Sequence, residues 1–123
     1  MIKIVVGGQI NKDDVCKFIK DYLVNEELDI VIKGDLDAVN LVKKGSYKYY
    51  VGACNTGGGG ALAMAMALLG RNKCQTISMP GKIASAEEIR QAVLDGKIAF
   101  GFTAQHYQEV LPILLDAIKE REN

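Results

Sequence analysis

The chain reads as one α/β domain over residues 1–123: a three-layer, doubly wound parallel sheet of five strands, Rossmann-like or flavodoxin-like in plan. Three observations predict it. Short apolar runs rich in β-branched residues alternate five times with amphipathic stretches. Those stretches carry helix start and stop signals. No linker, repeat or low-complexity segment breaks the alternation.

The first strand is "IKIVVGG", residues 2–8, an apolar run closed by glycines. Asn11 is expected to cap a helix through Leu23, with Asp13 and Asp14 in its first turn, where the helix dipole favours carboxylates. Val15, Phe18, Ile19, Tyr22 and Leu23 give it one apolar face. The second strand is "LDIVIKG", 28–34, and Asp35 is read as the cap of a helix whose apolar residues are Leu36, Val39, Leu41 and Val42. Lys43, Lys44 and Gly45 form its stop signal.

"YKYYVGA", 47–53, is the third strand, followed by a glycine run and the apolar helix Ala61 to Leu69. "CQTISMPG", 74–81, is the fourth strand, and Ser85 with Glu88 makes a capping box for a helix ending at Gly96. "KIAFGFT", 97–103, is the fifth. The last helix carries Val110, Ile113, Leu114, Ala117 and Ile118, with Pro112 as either a kink or the true start. Strands alternating with helices imply right-handed parallel units, for which the common five-stranded order is 2-1-3-4-5.

Lys and Arg number 15 and Asp and Glu number 15, with no block of like charge, which argues against a nucleic-acid or membrane-surface binder. No apolar stretch approaches the ~18 residues of a membrane span, and the opening "MIKIVVGG" lacks the length of a signal peptide. Cys16, Cys54 and Cys74 are an odd count without metal-ligand spacing, as free thiols of a reducing cytoplasm would be, and no metal site is expected. The expected location is cytoplasmic.

In an open parallel sheet, ligands sit beyond the carboxyl ends of the strands where strand order reverses. For this order the loops Gly7, Gly8, Gln9 and Cys54 to Gly60 face each other there. Glycines allow positive φ and close approach, and amides at a helix start are free to hold an anion. The expected guest is a small anionic metabolite held by Gly7, Gly8, Gln9, Asn55, Thr56, Gly57, Gly58, Gly59 and Gly60. The alternative is a tight turn with small residues for packing. No Gly-Lys-Ser/Thr follows the glycines, and Gly58, Gly60 and Ala63 match a dinucleotide fingerprint only weakly, after the wrong strand, so no cofactor is expected.

Cys54 ends the third strand just before a helix start, where a thiolate is favoured, as a nucleophile or base requires; the competing role is that of a small buried apolar residue. Cys16 and Cys74 are read as packing residues. His106, the one histidine, follows the fifth strand at the same sheet edge and is a candidate acid, base or anion contact, or a solvent-exposed first-turn residue. Lys82 is a candidate cation for the ligand, or a solvated loop lysine. The helix "ALAMAMALL" is apolar all round, which predicts a second subunit over it and hence a homo-oligomer.

Across most of the chain, "YYVGACNTGGGGALAMA" and "GKIAFGFTAQHYQEVLPIL" resemble the bacterial YhfU-like family of unknown function. That resemblance implies an association with small-molecule catabolic enzymes and a membrane-transporter partner. More distantly, Cys54-Asn55-Thr56-Gly57-Gly58-Gly59 resembles the C-G-T-G-x-G loop of B-type ribose-5-phosphate isomerases, and "IAFGF" resembles their last strand. By that resemblance Cys54 would be the proton-abstracting base, with Thr56 and the amides of Gly57 to Gly59 cradling the oxyanion.

The departures are specific. Gly8-Gln9 stands where those isomerases carry Asp-His, Met79-Pro80-Gly81 stands where they carry a histidine, and their phosphate-gripping arginines have no counterpart near a loop. The expected function is therefore binding of an anionic metabolite, a phosphorylated sugar or a carboxylate, in the service of transport or catabolism. The alternatives are a sugar-phosphate isomerase using Cys54, and a carrier phosphorylated on Cys54.

Overall fold

In the computed structural model, which describes residues 1–55 and 59–123, the elements follow in the order β1 (Ile2–Gly8), α1 (Lys12–Tyr22), β2 (Leu28–Ile32), α2 (Asp35–Lys43), β3 (Tyr49–Cys54), α3 (Gly59–Leu69), β4 (Cys74–Thr76), β5 (Ser78–Met79), β6 (Lys82–Ile83), α4 (Ala86–Leu94), β7 (Ala99–Thr103) and α5 (Tyr107–Glu122). Five strands form a parallel sheet in the order β2-β1-β3-β7-β4. The expected α/β class is what forms.

The strand order departs from expectation at one edge. The chain's fifth main strand, β7, lies beside β3, and the fourth, β4, is outermost, so the order is 2-1-3-5-4 rather than 2-1-3-4-5. Side-chain chemistry explains the exchange. Every residue of "AFGFT" is buried, whereas "CQT" carries Gln75 and Thr76, which remain half-buried at the edge. An inner parallel strand must be covered on both faces; an edge strand need not be.

The fourth strand is also shorter than the expected 74–81. It ends at Thr76 and the chain peels away into a small antiparallel hairpin, β5 and β6, around Pro80-Gly81. The second strand likewise stops at Ile32 rather than at 34.

Strand alternation sends side chains to two helical layers. Tyr49, Val51, Ala53, Phe100 and Phe102 join α1, α4 and α5 in one core. Val5, Tyr50 and Ala99 join α2 and α3 in the other. Glycine thins the second layer at Gly7, where an added Cβ would stand 3.0 Å from the Ala38 Cβ of α2.

Two caps differ from expectation. Asn11 occupies the residue before α1 with a left-handed φ of 62°, and its side chain makes no cap hydrogen bond. Gly34, not Asp35, precedes α2, leaving the Asp35 carboxylate free to turn inward. The Ser85–Glu88 capping box is formed as expected, both bonds at 3.1 Å. Helix α5 runs through Pro112, so the proline does not mark its start.

Candidate functional site

Strand order reverses between β1 and β3, since β2 lies on one side of β1 and β3 on the other. The loops after these two strands are tied together at that point. The amides of Gln9 and Ile10 both donate to the carbonyl of Ala53, at 3.0 and 3.4 Å. Gly8 turns the chain there with φ +83°, and a Cβ on it would stand 2.6 Å from the Ala53 nitrogen, so only glycine closes this corner without strain.

From that corner Gln9 reaches across to α3. Its carboxamide lies 2.6–2.7 Å from where a Cβ of Gly60 would be. A side chain from the first loop therefore covers the opening turn of the helix that follows the second. First-turn helical amides have no partner within the helix, and an anion satisfies them together with the positive end of the dipole.

The site rests on a floor of glycine. Gly7, Gly52 and Gly101 are register partners across β1, β3 and β7. A Cβ on Gly7 would meet the Tyr50 ring at 2.6 Å and one on Gly52 would meet its hydroxyl at 2.8 Å, so the phenol lies flat on backbone that no larger residue allows. The ring is fully buried. Its hydroxyl donates to Asp35 Oδ1, and stands 2.6 Å from the Ala61 carbonyl as a second acceptor.

Asp35 Oδ1 also accepts the Gly8 amide at 3.3 Å. One phenol thus joins the starts of α2 and α3 to the end of β1. Burial first, and then the Asp35 acceptor, push the Tyr50 hydroxyl far above its ordinary range, so it stays a neutral donor.

Cys54 is fully buried at the end of β3. Alternation along β3 puts it on the same face as Tyr50 and Gly52. Its register partner is Thr103, at the end of β7. Because β7 is next to β3, His106 lies three residues beyond a neighbour of Cys54, not two strand positions away as the expected order required.

Among the described residues, neither Thr103 Oγ1 nor His106 Nδ1 has a hydrogen-bond partner, although both atoms are buried. Ser78 Oγ accepts the Thr103 amide at 2.9 Å, where β4 has already diverged.

Other expected site residues are distributed as follows. Gly7, Gly8, Gln9 and Gly60 are brought together as described, Asn55 is exposed at the end of β3, and Gly59 opens α3. Thr56, Gly57 and Gly58 lie outside the described residues. Lys82 stands apart on the β5–β6 hairpin, beside a cavity of about 180 Å³ that it shares with Gln75, Thr76, Ser78 and Glu88. Cys16 and Cys74 are buried, and burial pushes both thiols up, as expected of packing residues.

Sequence reasoning missed Asp35, Tyr50 and Thr103 as members of the site. It also missed two cations at this sheet edge: Lys12 opens α1 and Lys33 follows β2, with Lys12 Nζ 3.4 Å from the Lys33 carbonyl. Among the described residues no group of three or more His, Cys, Asp or Glu is placed to hold a metal. No helix among them is long and apolar enough to cross a membrane.

Residues 2–118 match the family described as "Protein of unknown function DUF2620". Proteins described as uncharacterized YhfU from Escherichia coli K12 and Shigella flexneri are 42% identical over 91 residues, which is 74% of this chain and 78% of each relative. Among solved structures, the crystal structure of the ribose 5-phosphate isomerase RpiB of Thermotoga maritima superposes with a TM-score of 0.65 at 14% identity. The match covers 96% of this chain and 86% of that one. At that identity the likeness is one of fold.

Proposed function

The chain belongs to the DUF2620 family of proteins of unknown function, and we propose that it binds a small anionic metabolite, a phosphorylated sugar or a carboxylate, in the crevice between β1 and β3. The observation that carries this reading is Gln9 lying against Gly60, which joins both loops of the switch point over the first turn of α3. Lys12 and Lys33 at the same edge add positive charge that favours approach of an anion. The protein serves a cytoplasmic transport or catabolic system in this reading. It self-associates through the outer face of α3, where Ala63, Met64 and Ala67 are exposed and no charge interrupts the helix.

The test is thermal stabilisation by ribose 5-phosphate, ribonate and inorganic phosphate, with nucleotides as controls. At 100-fold excess over Kd, binding adds about 2.7 kcal/mol to folding stability and raises the melting temperature accordingly. Absence of stabilisation by every anion overturns the reading.

A second reading is favoured by the fold shared with a ribose 5-phosphate isomerase together with the run Cys54-Asn55-Thr56-Gly57-Gly58-Gly59. Here Cys54 takes the proton from the carbon beside a sugar carbonyl and returns it to the neighbouring carbon. Cys54→Ser discriminates between the two. A binding protein keeps its affinity, whereas an isomerase keeps affinity and loses nearly all turnover, read as exchange of that carbon-bound proton with deuterated solvent.

A further inference from the structure

We infer that the crevice has a second, uncharged half at the end of β7, and that its ligand is bipolar, with an acidic group at α3 and a hydroxyl-bearing carbon chain over Thr103 and His106. The inference rests on the binding reading above and narrows its ligand class. Thr103 is only 3% exposed, and its Oγ1 has no partner among the described residues. An orphaned buried hydroxyl costs stability that a valine of the same shape would not. The position is otherwise ideal for valine, in an inner strand whose other residues are alanine, phenylalanine and glycine.

Location gives the orphan its meaning. Alternation along β7 puts Ala99, Gly101 and Thr103 on the α2–α3 side, and Thr103 is in register with Cys54. Adjacent strands lie about 4.8 Å apart, so Thr103 is Cys54's immediate neighbour on the crevice face. Ser78 holds the Thr103 backbone at 2.9 Å and fixes the hydroxyl's origin.

Three residues further on, His106 Nδ1 is a second buried atom with no hydrogen-bond partner among the described residues. A hydroxyl donor-acceptor and an imidazole nitrogen suit alcohol groups, which both donate and accept. On the β1 side of Cys54, Gln9 of the first loop lies against Gly60 in the opening turn of α3, and Lys12 and Lys33 stand at the same sheet edge, so the acidic end belongs there.

The test compares matched pairs that differ in hydroxyls alone: ribose 5-phosphate against n-pentyl phosphate, and ribonate against pentanoate. Wild-type protein is expected to prefer the hydroxylated member of at least one pair by tenfold or more. Thr103→Val abolishes that preference while leaving the melting temperature of the free protein unchanged or raised, and Thr103→Ser, which keeps the hydroxyl, retains it.

Equal binding of both members, or a preference that survives Thr103→Val, overturns the inference and leaves anion binding standing. Failure of all four compounds and inorganic phosphate to bind overturns both. A lower melting temperature for Thr103→Val also counts against the inference, since it would mean the hydroxyl already has a partner.

Discussion

The carboxamide of Gln9 occupies the space that a Cβ on Gly60 would need, with its oxygen 2.6 Å from that point. Gln9 is exposed and flexible, and Gly60 lies in the first turn of α3, so the two sides of the contact respond differently to substitution. Gly60→Ala should push the carboxamide out to solvent at little cost. Alanine is a better helix former, so stability stays level or rises by up to about 1 kcal/mol. Ligand affinity is expected to fall about tenfold as Gln9 leaves the helix start. Thermal melts of the variant with and without ribose 5-phosphate separate the two effects.

Tyr50 and Gly52 form a less forgiving contact, because the phenol is buried and pinned by Asp35 and Ala61. Gly52→Ala is expected to cost about 1–3 kcal/mol through overpacking. Tyr50→Phe, which leaves two acceptors without their shared donor, should cost about 1–2 kcal/mol. The nearest atom to a Cβ at position 52 is the phenol oxygen itself, so the double variant should be less damaged than the sum of the singles by at least about 0.5 kcal/mol. Urea midpoints of the four proteins give this coupling directly.

Alkaline pH should expose the same phenol. Tyr50 is held far above its ordinary value near 10 by burial and Asp35, and Tyr49 by burial and Glu122 against the opposing charge of Arg121. A raised folded value means that this contribution is intact below about pH 10 and declines as pH rises further, since the unfolded chain ionises first. Stability should fall above that point, with a slope of up to about 1.4 kcal/mol per pH unit from Tyr50. Tyr50→Phe flattens the slope. Urea unfolding at stepped alkaline pH checks it, and phenolate absorbance should show both tyrosines ionising only with unfolding.

The outer face of α3 predicts the assembly. Met64 is 36% exposed beside Ala63 and Ala67. Met64→Lys keeps a good helix former at an exposed position and should change folding stability by no more than about 0.5 kcal/mol. Sedimentation should nevertheless show a larger assembly for wild type and a monomer for the variant. A monomeric wild-type protein would refute self-association through this face.

How much of this was legible in the sequence follows from which interactions are local. Apolar runs and helix punctuation gave the class and nearly every element, because periodicity and capping are decided within a few residues. Ser85 and Glu88 are the plainest case. The exchange of β4 and β7 was harder to read, since it turns on competition between two strands for an inner place. Its signal was nonetheless present in the polarity of Gln75 and Thr76.

The glycine loops of the candidate site were readable as close-approach positions, as Gly8 and Gly60 are. Asp35 looked like a helix cap and Tyr50 like an ordinary strand aromatic, and their hydrogen bond, made where the Tyr50 ring lies against Gly7 and Gly52, is a contact between elements that no local pattern shows. Thr103 could have been suspected as the one polar residue closing an otherwise apolar strand.

The central claim is that an anionic metabolite binds at the switch point between β1 and β3. Its most direct test is the change in backbone amide resonances as ribose 5-phosphate is titrated into the protein. The account predicts saturable shifts greatest at Gly8, Gln9, Asn55, Gly59, Gly60 and Thr103. Absence of saturable shifts, or shifts centred on Lys82 and the β5–β6 hairpin, would contradict it.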